Sequence, residues 1–149
     1  MSAYASIARS LVVGAILVVS AAPAFSQQAG KSAEELKKEI QAKLDSFPNK
    51  DTFEASVFRG SLVFLNYCQT CHGTNADGTG RAAKMYNPKP ANLRLSMYPD
   101  AYKELIIRKG GQQTGRSEFM PPWNDELTNE QIRDTVNYLR SIAPADAAK

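Results

Sequence analysis

The sequence predicts an all-α domain of about four to five helices. Apolar residues recur every three or four positions in several segments, as on the buried face of an amphipathic helix. Two of these segments begin with a Ser/Thr-x-x-Glu/Gln capping pattern, which is typical of a helix N-terminus. No segment shows a convincing alternation of apolar and polar residues, so we expect no sheet. The length of 149 residues suits one small domain.

The first expected helix covers residues 32–47. It begins with the capping pattern Ser-Ala-Glu-Glu, and Pro48-Asn49 ends it. Its apolar residues are Leu36, Ile40, Leu44 and Phe47. The opposite face is rich in lysine and glutamate, so we expect this helix to pack on the surface of the domain. A role in docking a partner is the alternative.

The second expected helix covers residues 53–68. Gly60, Phe64 and Cys68 follow one another at four-residue intervals and therefore share a face. A glycine inside a helix costs about 1 kcal/mol relative to alanine. Its presence here predicts that another helix crosses close to Gly60.

Two more helices are expected in the second half of the chain. The third covers residues 100–109 and ends at Gly110-Gly111, because glycine favours helix C-termini. The last runs from the capping pattern at 128–131 to about residue 142, and its apolar face carries Ile132, Val136 and Leu139. Between these helices we expect a turn-rich loop at 75–80, an extended segment at 87–90 and an irregular loop at 112–123.

The most informative motif is Cys68-Gln69-Thr70-Cys71-His72. The pattern C-x-x-C-H is the attachment signature of c-type haem. On a helical turn this spacing points both sulfurs at one edge of the porphyrin, and each thiol can add to a haem vinyl group as a thioether. The next side chain, His72, can then bind the iron. Because the chain has two cysteines and one histidine, one haem uses them all.

Other roles for the cysteine pair are less consistent with the chain. A thioredoxin-like dithiol would need a βαβ scaffold, for which no pattern is present. A structural zinc site usually takes four Cys or His ligands, whereas this chain offers three. A disulfide between residues three apart would close a very small loop and stabilise little.

The N-terminal residues 1–26 resemble a secretory signal peptide. Arg9 precedes an apolar run from Leu11 to Ala22, and small residues allow cleavage after Ala24 or Ser26. The run has twelve residues, short of the 18 or so that span a bilayer. We therefore expect a periplasmic protein with no stable membrane insertion after cleavage. The formal charge of +3 and the lack of a concentrated basic run argue against a nucleic-acid partner.

The second axial ligand of the iron is expected to be Met120. A second histidine does not exist, and Met120 follows His72 by 48 residues, enough chain to return on the opposite face of the haem. Pro121 and Pro122 stiffen its loop, and Trp123 is expected to pack against the haem edge. For Met85 and Met97 the expected role is to fill gaps in the core.

These residues together resemble the class I c-type cytochromes, in their small bacterial mono-haem branch. The similarity covers residues 60–142. It rests on six sets of residues: Gly60-x-x-x-Phe64-x-x-x-Cys68, C-Q-T-C-H-G at 68–73, Asp77-Gly78-Thr79-Gly80, Pro88-Lys89-Pro90-Ala91-Asn92-Leu93, Met120-Pro121-Pro122-Trp123 and Asn137-Tyr138-Leu139-Arg140.

The resemblance implies a small cytochrome c fold around one covalently bound haem. Gly60 and Phe64 would contact the last helix, with Tyr138 as the aromatic partner. The carbonyl of Pro90, or that of Pro88, would accept a hydrogen bond from the second ring nitrogen of His72. The expected layout is a signal peptide at 1–26, an extra helix and linker at 27–52, the cytochrome domain at 53–143 and a tail at 144–149.

The expected function is electron transfer rather than catalysis. A histidine–methionine haem with both axial positions filled would exchange single electrons with redox proteins through small, transient contacts. We expect a monomer. The first alternative is a haem-bearing subunit of a larger dehydrogenase or oxidase, docked through the helix at 32–47. The second is an enzyme or gas sensor with an open sixth position, which the absence of a second histidine weakens.

Overall fold

The computed structural model describes residues 32–144 and is all-helical over that range, which confirms the predicted fold class. The helices are α1 (Ala33–Asp45), α2 (Phe53–Val63), α3 (Gln69–His72), α4 (Asp100–Gln113) and α5 (Asn129–Ile142). A π-helical turn at Phe64–Cys68 joins α2 to α3, and 3-10 turns lie at Ala83–Met85 and Leu93–Leu95. Among these residues no helix is long and apolar enough to cross a membrane. The expected signal peptide and the last five residues lie outside the described range.

Both predicted capping boxes are present. In α1, Ser32 Oγ accepts a hydrogen bond from the backbone N–H of Glu35, whose carboxylate accepts one from Ser32 N–H in return. In α5, Thr128 and Gln131 exchange the same pair of bonds. Each box pairs two N–H groups that the helix itself leaves without acceptors.

The core is built where α2 crosses α5. A Cβ placed on Gly60 would lie 1.9 Å from the carbonyl oxygen of Asp134, so the two backbones touch and only glycine fits. One turn later the fully buried ring of Phe64 packs on Tyr138, with 5.2 Å between ring centroids. Both contacts were predicted. The buried apolar cluster consists of Val63, Phe64, Ala76, Ile107, Leu127, Ile132, Val136 and Leu139.

A polar network fixes the same crossing. The buried carboxylate of Asp134 accepts hydrogen bonds from Ser56 Oγ (2.5 Å) and from Arg59 Nε (2.7 Å). Asn137 Nδ2 donates to Ser56 Oγ at 2.7 Å. Since a buried charge is tolerated only when it is paired and hydrogen-bonded, these contacts set the rotation of α2 against α5.

Three boundaries differ from the sequence prediction. Helix α1 ends at Asp45, two residues early, and a turn follows before Pro48. The second helix is not α-helical throughout, because its last turn is π-helical. Helix α4 is interrupted at Gly110 (φ +75°), where the stop was expected, and a further turn then follows to Gln113.

Candidate haem site

The three motif residues lie on one continuous helical segment. Cys68 ends the π-helical turn, while Cys71 and His72 lie on α3. In the π-helical turn the N–H of Gln69 bonds to the carbonyl of Phe64, five residues back, which inserts one residue into the α-helical register just before the motif. Both cysteines are half-buried free thiols. Sequence periodicity does not reveal such a π-helical turn. The turn nevertheless sets the side of the helix on which the Cys68 thiol lies.

The chain after His72 folds back over the motif. Gly78 N–H donates to His72 O at 2.8 Å, and Ala82 N–H donates to Thr70 O at 2.9 Å. A Cβ on Gly80 would lie 2.4 Å from the carbonyl oxygen of Thr70, so this close approach requires glycine. The glycine-rich loop singled out in the sequence therefore packs directly on the helical turn that carries the motif.

The histidine ring is oriented by a backbone carbonyl. His72 Nδ1 lies 3.1 Å from the carbonyl oxygen of Ala91. The expectation that Pro90, or else Pro88, would be the acceptor is wrong. The carbonyl of Pro90 instead faces Gly78, where a Cβ would approach it to 2.5 Å. Leu93 N–H donates to Ala76 O at 2.8 Å and holds this extended segment against the loop.

Burial controls the protonation of the motif. Burial lowers the pKa of His72, and the hydrogen bond to the Ala91 carbonyl offsets part of that shift. The imidazole is therefore held in the neutral form that can bind a metal. Burial also raises the pKa of the Cys68 thiol to about 12, with a smaller contribution from Cys71. Before any covalent attachment, Cys68 is thus a protonated thiol at neutral pH.

The methionines differ in their surroundings. Met120 is half-buried, and its carbonyl accepts a hydrogen bond from Gly111 N–H at 2.9 Å. Met85 and Met97 are 72% and 64% exposed, so the expectation that they fill gaps in the core is wrong. Met85 ends the 3-10 turn at Ala83–Met85, and Met97 lies between the next 3-10 turn and α4. Coordination of iron by Met120 stays a prediction.

Trp123 connects the loop of Met120 to the motif. The backbone N–H of Trp123 donates to Ile107 O at 3.0 Å, and its indole packs edge-on against the ring of Tyr67, with 5.5 Å between ring centroids. Tyr67 directly precedes Cys68, so the loop contacts the helical segment that carries the motif. Tyr67 was not predicted as a site residue, although the sequence carries a signal for it, an aromatic side chain directly before the motif. A contact between Trp123 and haem stays a prediction.

The residues present fit a covalently attached haem. Two free thiols and one neutral imidazole are the donor set that c-type attachment requires. With Nδ1 engaged by Ala91, the other ring nitrogen, Nε2, makes no hydrogen bond within residues 32–144 and is left for a metal. Leu95 and Met97 are 66% and 64% exposed in the segment that follows Ala91, so they offer apolar surface that a porphyrin can cover.

Comparison with known proteins agrees with this chemistry. The family model described as cytochrome c matches residues 57–143, more than half of the 149 residues. A solved chain of the "reducing HAO-like protein complex Kustc0457/Kustc0458" from Kuenenia stuttgartiensis is 28% identical, with a TM-score of 0.49. The match covers 61% of this chain and 44% of that one, so this chain spans less than half the length of its structural relative.

Proposed function

Because the chain belongs to the cytochrome c family, we propose that it is a soluble, periplasmic carrier of single electrons with one haem c. The family is one of covalently bound haem and electron transfer. When bound, the haem supplies a one-electron couple between ferric and ferrous iron. Cys68 and Cys71 would attach it through thioethers, and His72 and Met120 would bind the iron. Trp123 and Tyr67 help to exclude water at the side of the first thioether.

One observation carries this proposal: the hydrogen bond between His72 Nδ1 and the Ala91 carbonyl. It fixes the plane of the ring and the tautomer, so that Nε2 is the nitrogen without a proton. Such an outer contact also raises the basicity of a histidine ligand. A histidine that merely filled space at the surface would not need this alignment directly after a C-x-x-C pair.

We propose that the redox partner presents an acidic surface. The segment 78–99 contains four basic residues and no acidic residue, and all four side chains are exposed: Arg81, Lys84, Lys89 and Arg94. None of them forms an ion pair with a residue in the described range 32–144. Backbone bonds from Ala82 to Thr70 and from Leu93 to Ala76 hold this segment against the motif. Attraction of an acidic partner would therefore act close to the electron-transfer site.

This charge proposal predicts a kinetic asymmetry. At low salt, an anionic redox reagent such as hexacyanoferrate should oxidise the reduced protein faster than a cationic reagent of matched driving force. Replacing Lys84 and Lys89 by glutamine should reduce the difference, and 1 M salt should abolish it because the screening length falls to about 3 Å. Equal rates at low salt for both reagents would refute the acidic-partner proposal.

The test of the main proposal is an absorption spectrum of the exported protein. Full-length chain is expressed in a bacterium able to attach haem c, and periplasmic and cytoplasmic fractions are compared. We expect the shortened polypeptide in the periplasm, with haem that stays attached after denaturing extraction. Cytoplasmic protein would overturn the localisation, and haem that is extracted, or absent, would overturn the cofactor assignment. A haem-to-protein ratio above one would overturn the mono-haem assignment.

The sixth ligand is tested by Met120→Ala. We expect the ferric protein to show the weak far-red absorption of methionine–iron ligation and the variant to lose it, because alanine has no donor atom. Carbon monoxide should then bind the reduced variant but not the reduced wild type. Met85→Ala, at a methionine that is 72% exposed, is the matched control and should keep the far-red band. If the wild type binds carbon monoxide readily, the open-site enzyme or sensor becomes the better hypothesis.

A second candidate function is that of a docked electron-transfer subunit. Helix α1 supports it, because none of its residues is buried and the side chain of Leu36 is 50% exposed. Native size measurement of the exported protein separates the two hypotheses. A monomer supports the free carrier, and stable association with an oxidoreductase supports the subunit.

A further inference from the structure

The loop at residues 114–123, called here the methionine loop, follows α4 and returns to the second half of that helix. Gly111 N–H, in α4, donates to Met120 O at 2.9 Å, and the backbone N–H of Trp123 donates to Ile107 O at 3.0 Å. Gly110 has a positive φ of 75°, and a Cβ there would lie 2.8 Å from the carbonyl oxygen of Met120. Backbone bonds also hold the middle of the loop, where Arg116 N–H donates to Gly111 O at 2.7 Å. All of these contacts tie the loop to the C-terminal half of α4.

Arg116 supplies an anchor for the middle of the loop. Its guanidinium lies over the rings of Tyr98 and Tyr102, at 4.7 Å and 5.8 Å from their centroids. It also donates hydrogen bonds to both phenolic oxygens, at 3.3 Å for Tyr102 and at a shorter distance for Tyr98. The two rings pack on each other with 4.9 Å between centroids, so they form one platform.

The two tyrosines lie at the N-terminal end of α4, whereas the methionine loop follows its C-terminal end. Tyr98 precedes α4 and Tyr102 lies in its first turn, whereas the ends of the methionine loop are held near Ile107 and Gly111. Arg116 therefore reaches back along α4 and ties the middle of the loop to the opposite end of the same helix. The segment that carries Met120 is thus fixed at three separated points.

The chemistry of the contact suits arginine specifically. A planar guanidinium can stack on aromatic faces and donate several hydrogen bonds at once, which a lysine ammonium cannot reproduce. The two tyrosine hydroxyls, that of Tyr102 first, raise the pKa of Arg116. Within residues 32–144 no carboxylate forms an ion pair with Arg116, so the tyrosines are its partners there.

We propose that Arg116, held by Tyr98 and Tyr102, is a positioning residue that keeps Met120 on the haem iron. This inference rests on the proposed function, in which Met120 is an axial ligand. A thioether is a weak ligand. Ordering a flexible loop when the sulfur–iron bond forms costs conformational entropy, so a loop that is already ordered keeps the ligand bound more of the time. The clamp restricts the loop in advance and thereby favours Met120 over competing external ligands.

The test is a competition between Met120 and imidazole in the oxidised holoprotein. Imidazole is added to wild type and to Arg116→Gln, and loss of the far-red methionine–iron band gives the apparent affinity. We expect Arg116→Gln to bind imidazole roughly tenfold more tightly. Arg116→Lys should lie close to Arg116→Gln, whereas the double variant Tyr98→Phe/Tyr102→Phe should be intermediate because it retains the stacked rings.

The matched control is Arg133→Gln, which removes the same charge from an exposed position on α5 that has no ion pair in the described residues. Its imidazole affinity should equal that of the wild type. Amide hydrogen exchange provides a second readout: residues 112–120 should exchange faster in Arg116→Gln, while α5 stays protected. Exchange measurements also reveal whether a variant has unfolded globally.

The outcomes distinguish the clamp from the proposed function. If the wild type shows the methionine band and Arg116→Gln leaves imidazole affinity unchanged, Arg116 is an ordinary surface arginine and the inference is overturned. If the wild type lacks the band, Met120 is not the ligand. The positioning role of Arg116 then fails with it, although haem attachment at Cys68 and Cys71 would stand.

Discussion

Helices α1 and α5 are alike in sequence and different in the folded protein. Each begins with a complete capping box and carries apolar residues at helical spacing on one face. In α5 that face is buried, with Ile132 at 0% exposure and Val136 and Leu139 at 5%. In α1 no residue is buried, and Leu36 is half exposed. Local signals therefore specify where a helix forms, but not how deeply it is buried.

The difference lies in what each helix meets. Helix α5 crosses α2 at Gly60, where the missing side chain allows the backbones to touch and the surrounding apolar groups to interlock. Within residues 32–144, no glycine allows another backbone to approach α1 in this way. The aromatic contact that follows it joins Phe47 to Phe58, with 6.1 Å between centroids, and Lys43 lies over the Phe47 ring at 5.3 Å. We therefore expect α1 to open without unfolding the α2–α5 core.

Gly60→Ala should produce the largest effect. The added Cβ would lie 1.9 Å from Asp134 O and 2.4 Å from Asp134 C, so the two helices must separate. Alanine gains about 1 kcal/mol of helix propensity, yet overpacking of this kind costs 1–3 kcal/mol and also disturbs the Asp134 network. We expect a net loss of about 1–2 kcal/mol in the free energy of unfolding, measured by guanidinium denaturation of the holoprotein.

The control for Gly60→Ala is Ser61→Ala, one residue further along α2. The Ser61 hydroxyl bonds only locally, to Phe58 O at 2.7 Å, so its loss should change stability by less than about 0.5 kcal/mol. If Gly60→Ala changed the free energy of unfolding as little as Ser61→Ala, the close backbone approach of α2 to α5 would be wrong. The contact with α2 would then also fail to explain why α5 is buried and α1 is not.

Features with a local sequence signature could be predicted, and features set by tertiary contact could not. Periodicity and capping residues placed the helices, the C-x-x-C-H spacing placed the candidate site, and the glycine at position 60 predicted the crossing. The acceptor for His72 was misplaced by one residue, because any residue supplies a backbone carbonyl and only the path of the chain selects Ala91. The exposure of Met85 and Met97 was also missed, because neither residue lies in a long helix whose periodicity would show which side chains are buried.

A second contrast between the two regions is their response to acid. Asp77 lies in the loop against the motif, and the Thr79 hydroxyl, followed by the Thr79 N–H, lowers the pKa of its carboxyl below the ordinary 3.8. Glu35 lies in the α1 capping box, and the Ser32 N–H, followed by the Ser32 hydroxyl, lowers its pKa below 4.5. For both, the folded state favours the carboxylate. Their stabilisation is present above the ordinary pKa and is lost as pH falls through the lowered value.

The two carboxylates should nevertheless affect different measurements. Asp77→Asn should lower the guanidinium midpoint at pH 7, and the gap to wild type should close below about pH 4 as Asp77 is protonated. Glu35→Ala, which removes the side-chain half of the capping box, should leave the midpoint unchanged at either pH and reduce only the amide protection of α1. A shift of the global midpoint in Glu35→Ala would mean that α1 unfolds together with the core.

The smallest effect on stability is expected from Leu36→Gln, which is also the sharpest test of what the exposed face of α1 does. Because Leu36 is already half exposed, the change should alter the free energy of unfolding by less than about 0.5 kcal/mol. Gln41→Ala, on an exposed part of the same helix, is the matched control. If Leu36→Gln alone weakened electron transfer to the native partner while stability and spectrum stayed the same, α1 would be a docking element. Unchanged transfer would leave α1 as a surface helix and favour the basic segment 78–99 as the site of partner contact.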